Sequence, residues 1–187
     1  MSANSSILGA DRHLLIAVDP GASGAVAACY AHAPTRPRVY KMPRAVSDVI
    51  ALFAWRVASD FPEATRATAL MEFVGHHRAG NASAGSSKFA RHCGHLEAAL
   101  IAAKMRTWSV APHVWMAKFR EAASINEWVT GPAGEAQRAR KRILHDAARR
   151  LYPASRVTMY ASDAMALLWL LAQSPESPPG VELSRRT

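Results

Sequence analysis

The 187-residue sequence is poor in cysteine, in acidic side chains and in long apolar runs. Its two cysteines, Cys29 and Cys93, are too few and too isolated for a disulfide framework or a tetrahedral zinc site. They read as reduced, half-buried thiols, as expected of a cytoplasmic protein. No stretch reaches the roughly 18 consecutive apolar residues of a membrane-spanning helix, so no membrane partner is expected. Acidic residues number 14 against 23 Lys and Arg, giving a net charge of +9 and a pI near 10.3. That imbalance favours a polyanionic partner, nucleic acid ahead of a membrane surface. Half the residues are apolar, which is ordinary for a globular chain, and the length suits one domain with a sizeable core.

The apolar pattern divides the chain into alternating elements. Residues 13–18 form a short, non-alternating apolar run, as expected of a strand buried on both faces. A Pro20–Gly24 turn leads to a second strand at 25–30, and a third, edge strand is expected at 39–42. Apolar positions Val46, Val49, Ile50, Phe53, Ala54 and Val57 fall at helical spacing over 45–59. A fourth strand at 67–73 is apolar except for Glu72. Then come a Gly, Ser and His loop over 75–87, a helix over 87–104 and a strand near 107–110. A helix opening at Pro112, a basic helix over 135–151 and an almost wholly apolar helix over 162–172 complete the series. The buried stripe of the basic helix is expected at Ala136, Ala139, Ile143, Ala147 and Leu151. Polar residues 1–12 and the proline-containing 174–187 read as disordered tails around a domain of residues 13–173. Strands joined by short turns, followed by strands alternating with helices, imply an α/β mixed sheet with helices packed on its faces.

Three carboxylates sit where charge is conspicuous. Asp19 ends the first apolar strand and is followed at once by Pro20-Gly21, Glu72 ends the fourth, and Asp163 opens the terminal helix. Each alone has a bland reading: a strand-end acid in solvent, or a carboxylate beside a helix N-terminus with Ser162 as the competing cap. Together they can meet at one end of the sheet if the first and fourth strands are neighbours. Their repulsion would then call for a divalent cation, and hard oxygen donors suit Mg²⁺, with Mn²⁺ as a substitute. Such acid clusters support two-metal phosphodiester hydrolysis.

These segments resemble the RuvC-type Holliday junction resolvases of the RNase H-like superfamily, nearest the branch found in phages and prophages. The similarity runs through Ile16-Ala17-Val18-Asp19-Pro20-Gly21 with Gly24, Met71-Glu72-Phe73-Val74, and the helix from Phe89 to Leu100. It continues through Val110-Ala111-Pro112-His113-Val114-Trp115, the basic helix from Lys141 to Pro153, and Ser162-Asp163-Ala164-Met165. The resemblance implies an RNase H-like mixed five-stranded sheet, three antiparallel strands then two parallel, with helices on both faces. It implies that Asp19, Glu72 and Asp163 are catalytic metal ligands, and that the substrate is a four-way DNA junction cut by paired phosphodiester hydrolysis. A fourth acid common in that family is replaced here by Tyr160, or by Met159 with a one-residue shift.

Arg138, Lys141, Arg142, His145 and Arg149 share one side of the basic helix. A solvated helix face is the plain alternative to DNA binding, and the charge of +9 argues for DNA. Lys141 is the expected partner of the scissile phosphate, and Lys118 and Arg120 could extend the patch. In the resembled family the 75–87 loop approaches the junction centre, which makes His76, His77, Arg78 and Asn81 candidate DNA contacts. The family is dimeric, and Ala90, Gly94, Ala98 and Ala102 mark the candidate homodimer face. Other expectations are a non-catalytic junction-binding protein, suggested by the missing fourth acid, or an RNase H-like nuclease acting on forks, flaps or RNA–DNA hybrids.

Overall fold

The computed structural model describes residues 12–73, 84–126, 128–129 and 133–176. The expected DNA contacts His76, His77, Arg78 and Asn81 lie outside them. Five strands form one sheet in the order β3-β2-β1-β4-β5. They are β1 (His13–Asp19), β2 (Ala25–Tyr30), β3 (Arg38–Lys41), β4 (Arg66–Glu72) and β5 (Arg106–Val110). The pairs β1–β2 and β2–β3 are antiparallel, whereas β1–β4 and β4–β5 are parallel. This is the expected α/β mixed sheet, three antiparallel strands followed by two parallel ones.

Every residue of β1 is buried because both of its faces are covered. Leu14, Ile16 and Val18 face one core, with Val49, Phe53, Val57, Leu96 and Leu100. Leu15 and Ala17 face the other, built from Trp108, Trp115, Phe119, Leu144 and the terminal helix. The continuous apolar run of β1 follows from this two-sided burial.

The first helical stretch is less regular than its spacing predicts. An α-helical α1 (Val46–Ala51) passes into a π-helical segment, Leu52–Val57, and then α2 (Ala58–Asp60). The wider i→i+5 turn keeps Val49, Phe53 and Val57 close to one line on the core side, and Trp55 is left 75% exposed. Asp60 ties this unit to the edge strand, accepting from Arg38 Nη1 at 2.9 Å and from the Tyr40 hydroxyl at 2.7 Å.

The remaining helices are α3 (Ala84–Ala102), α4 (Pro112–Ala122), α5 (Ala133–Leu151) and α6 (Ser162–Gln173). Apolar almost throughout, α6 packs on β1, β2 and β4 and is flanked by α4 and α5. The buried stripe of α5 is rotated from the expected one: Leu144, Ala147 and Ala148 are buried with Ala136, and Ala139, Ile143 and Leu151 are only half-buried. The position of α6 decides this rotation, since α5 offers apolar side chains over more than one face. Beyond α6, Glu176 reaches back to Arg66 and Arg106 at the start of β4 and β5.

Candidate metal centre at the carboxylate end of the sheet

The turn after β1 is built around two glycines. Gly21 has φ +120°, and a Cβ on Gly24 would lie 2.0 Å from the Asp19 carbonyl oxygen. Only glycine allows the chain to fold back this tightly, and the turn holds Asp19 at the mouth of the sheet. Phe89 of α3 packs against Gly21.

Register brings the second acid alongside. Val18 pairs with Met71, so Glu72 follows Asp19 at the same end of adjacent parallel strands. Glu72 in turn pairs with Val110, after which the chain enters α4. The third acid comes from α6, whose first turn crosses the same end of the sheet. Its N-cap position is Ala161, with no side-chain cap. Ser162 instead donates to the Met159 carbonyl at 3.0 Å and lies 3.3 Å from Asp163 Oδ1.

The three carboxylates sense one another. Asp19 is only 8% exposed, and its pKa is pushed up to about 8, chiefly by burial and then by the charges of Asp163 and Glu72. The pKa of Glu72 is also raised by burial, against the stabilising hydrogen bond from Trp115. Trp115 Nε1 donates to Glu72 Oε1 at 3.0 Å. Lys141 donates to Asp163 Oδ2. Glu72 and Asp163 are thus satisfied by an indole N–H and an ammonium. In this arrangement no group of three or more His, Cys, Asp or Glu side chains is disposed to hold a metal ion, among the described residues.

The donor set nevertheless fits a hard divalent cation. Carboxylate oxygens are the donors such ions prefer. Burial first, and then the neighbouring charges of Asp163 and Glu72, disfavour the anionic form of Asp19, and a cation would offset both. Cys93 is no competing soft ligand, because burial and the nearby Glu72 charge push its thiol up to about 11. His92 and His95 share its helix and make no metal cluster with it among the described residues.

Of the expected cationic residues that are described, Lys141 is in direct contact with an acid of the cluster. Arg138, Arg142 and Arg149 are exposed along α5. Arg149 lies about 12 Å beyond Lys141 along the helix axis. His145 is half-buried, its Nε2 lying 3.3 Å from the Val157 carbonyl oxygen, which turns it from the exposed arginine row. Arg120 is half-buried. Its guanidinium stacks on Trp128 at 4.6 Å, and Trp128, which its place in a polar loop would suggest is exposed, is half-buried. Tyr160 lines a groove with Pro37, Val39, Ser155 and Arg156, and no acid of the cluster borders that groove. A tryptophan among apolar neighbours reads from sequence as a core residue, and so does Trp115. Its place in the V-x-P-x-x-W segment directly after β5 is the one available sign of a role beside Glu72.

No protein-family model and no curated protein sequence matches the chain. Among solved structures it is similar to Thermus thermophilus RuvC in complex with a Holliday junction substrate, with 14% identity and a TM-score of 0.51. It is also similar to a second Thermus thermophilus RuvC structure, with 15% identity and a TM-score of 0.50. Each comparison covers 87% of this chain and 95% of the other. At these identities the likeness is one of fold: the chain has a RuvC-like, RNase H-like fold.

Proposed function

We propose that the protein is a divalent-metal-dependent endodeoxyribonuclease that resolves four-way DNA junctions, related to the phage and prophage branch of the RuvC-type resolvases. The observation that carries this reading is the convergence of Asp19, Glu72 and Asp163, from β1, β4 and α6, at one end of a RuvC-like sheet. Asp19, Glu72 and Asp163 would hold Mg²⁺ or Mn²⁺, two ions per site. Those ions would supply a water of lowered pKa and positive charge against the phosphate.

The protein's own groups do the rest. Asp19 must give up the proton that its burial favours before it can serve as an anionic ligand. Trp115 and Lys141 steady Glu72 and Asp163 from opposite sides of the chain's order. Arg138, Arg142 and Arg149 hold the DNA backbone along α5, each neutralised phosphate releasing counterions. Paired nicks need two sites, and a homodimer through α3 would supply them. Gly94, Ala98 and Ala102 are exposed on that helix, with open space above Gly94. The domain is taken as residues 13–173 of a cytoplasmic protein. Among the described residues no helix is long and apolar enough to cross a membrane.

The test is cleavage of a synthetic four-way junction in Mg²⁺ by wild type and Asp19→Asn. Loss of paired nicking in the variant supports the reading, and equal cleavage by both overturns it. A panel of forks, flaps and RNA–DNA hybrids run alongside ranks the substrate. A second reading, a non-catalytic junction binder, is suggested by the missing fourth acid at Tyr160 or Met159 and favoured by one observation: Lys141 engages Asp163. Junction binding in EDTA with no nicking in Mg²⁺ or Mn²⁺ would select it.

A further inference from the structure

Trp115 is the largest side chain fully enclosed in the protein, yet one edge of it is polar and points at the carboxylate cluster. Its indole lies in the core formed by Leu70, Phe119, Leu144, Met165 and Leu168, only 1% exposed. The backbone fixes it as well, because its N–H bonds the Ala111 carbonyl at 3.2 Å in the first turn of α4. A phenylalanine or leucine could fill much of the same space. Neither could donate to Glu72 Oε1.

We infer that Trp115 is a positioning residue for the metal centre: its rigidly packed indole N–H, 3.0 Å from Oε1, sets the orientation of the Glu72 carboxylate. The inference rests on the reading of Asp19, Glu72 and Asp163 as the metal-holding acids. The indole N–H is the donor that the structure gives to the Glu72 carboxylate among the described residues. With a metal ion held by the other Glu72 oxygen, the indole N–H could still donate to Oε1. Packing has already removed the rotational freedom of the donor, so holding the carboxylate costs little further ordering. Outer partners of this kind orient ligands, and their loss weakens metal binding or activity about 10–100-fold.

The experiment compares wild type, W115F and a protein in which benzothienylalanine replaces Trp115. That analogue keeps the bicyclic shape and puts sulfur in place of the N–H. Mn²⁺ affinity of the metal-stripped proteins is read by electron paramagnetic resonance, with junction affinity in EDTA and thermal melting as controls. The expected result is an Mn²⁺ affinity about 10–100-fold weaker in the analogue, with junction affinity in EDTA unchanged. W115F should show the same loss together with a lower melting temperature from the smaller ring. Wild-type Mn²⁺ affinity in the analogue would overturn the inference and leave the metal centre standing. Mn²⁺ binding that D19N does not weaken would instead remove the metal centre itself, and the inference with it.

Discussion

The Lys141 ammonium donates to the Asp163 carboxylate, joining the basic helix α5 to the first turn of α6. The pair sits at the boundary between the acidic cluster and the arginine row, so one lysine belongs to both. Its charge opposes the burial and repulsion that raise the pKa values of Asp19 and Glu72. Without metal, Lys141 is the cluster's own counter-charge.

Removing that counter-charge should destabilise the metal-free protein. Lys141→Met is expected to cost about 1 kcal/mol, since the pair is partly exposed. For a chain of this size that corresponds to a fall of about 2–4 °C in melting temperature. Melting in EDTA and in excess Mg²⁺ checks it, and Mg²⁺ should recover most of the loss.

The protonation of Asp19 gives the metal-free protein a definite pH dependence. Its folded pKa of about 8 lies above the ordinary value of 3.8, so the folded state binds more protons between those limits. Stability from this group is complete below the lower limit and is lost as pH rises through the upper one. Melting temperature in EDTA should therefore fall from pH 5 to pH 8.5. Asp19→Asn should flatten that slope and melt higher than wild type at pH 8.

The turn beyond Asp19 should not accept a side chain. Gly24→Ala puts a methyl group 2.0 Å from the Asp19 carbonyl oxygen, and the backbone must move to relieve it. A loss of about 1–3 kcal/mol is expected from the forced shift. Urea unfolding measures it, and junction cleavage should fall further than the stability change accounts for.

The exposed arginines of α5 should matter for binding and not for folding. Arg142→Ala and Arg149→Ala are expected to shift stability by no more than about 0.5 kcal/mol. Each should reduce the slope of log affinity against log salt by about 0.9 for every duplex phosphate it neutralises. Junction titrations over a range of salt concentrations test this, and unchanged slopes would remove α5 from the interface.

Local pattern already determined much of this protein. The unbroken apolar run of β1 announced a strand covered on both faces, and the glycines after Asp19 announced the tight turn. These properties depend on residues close in sequence, and periodicity reports them directly. Acids at two strand ends and one helix start stood out in the same way, but whether they meet depends on strand register and on where α6 packs. Tertiary structure decided the rest. The rotation of α5 toward Leu144 and Ala148, the π-helical turn at Leu52–Val57 and the half-burial of Trp128 depend on neighbours supplied by other elements. So do the two contacts that organise the site, Trp115 with Glu72 and Lys141 with Asp163. An indole or an ammonium looks the same in a sequence whether it meets water, core or carboxylate; only packing between distant segments selects its partner.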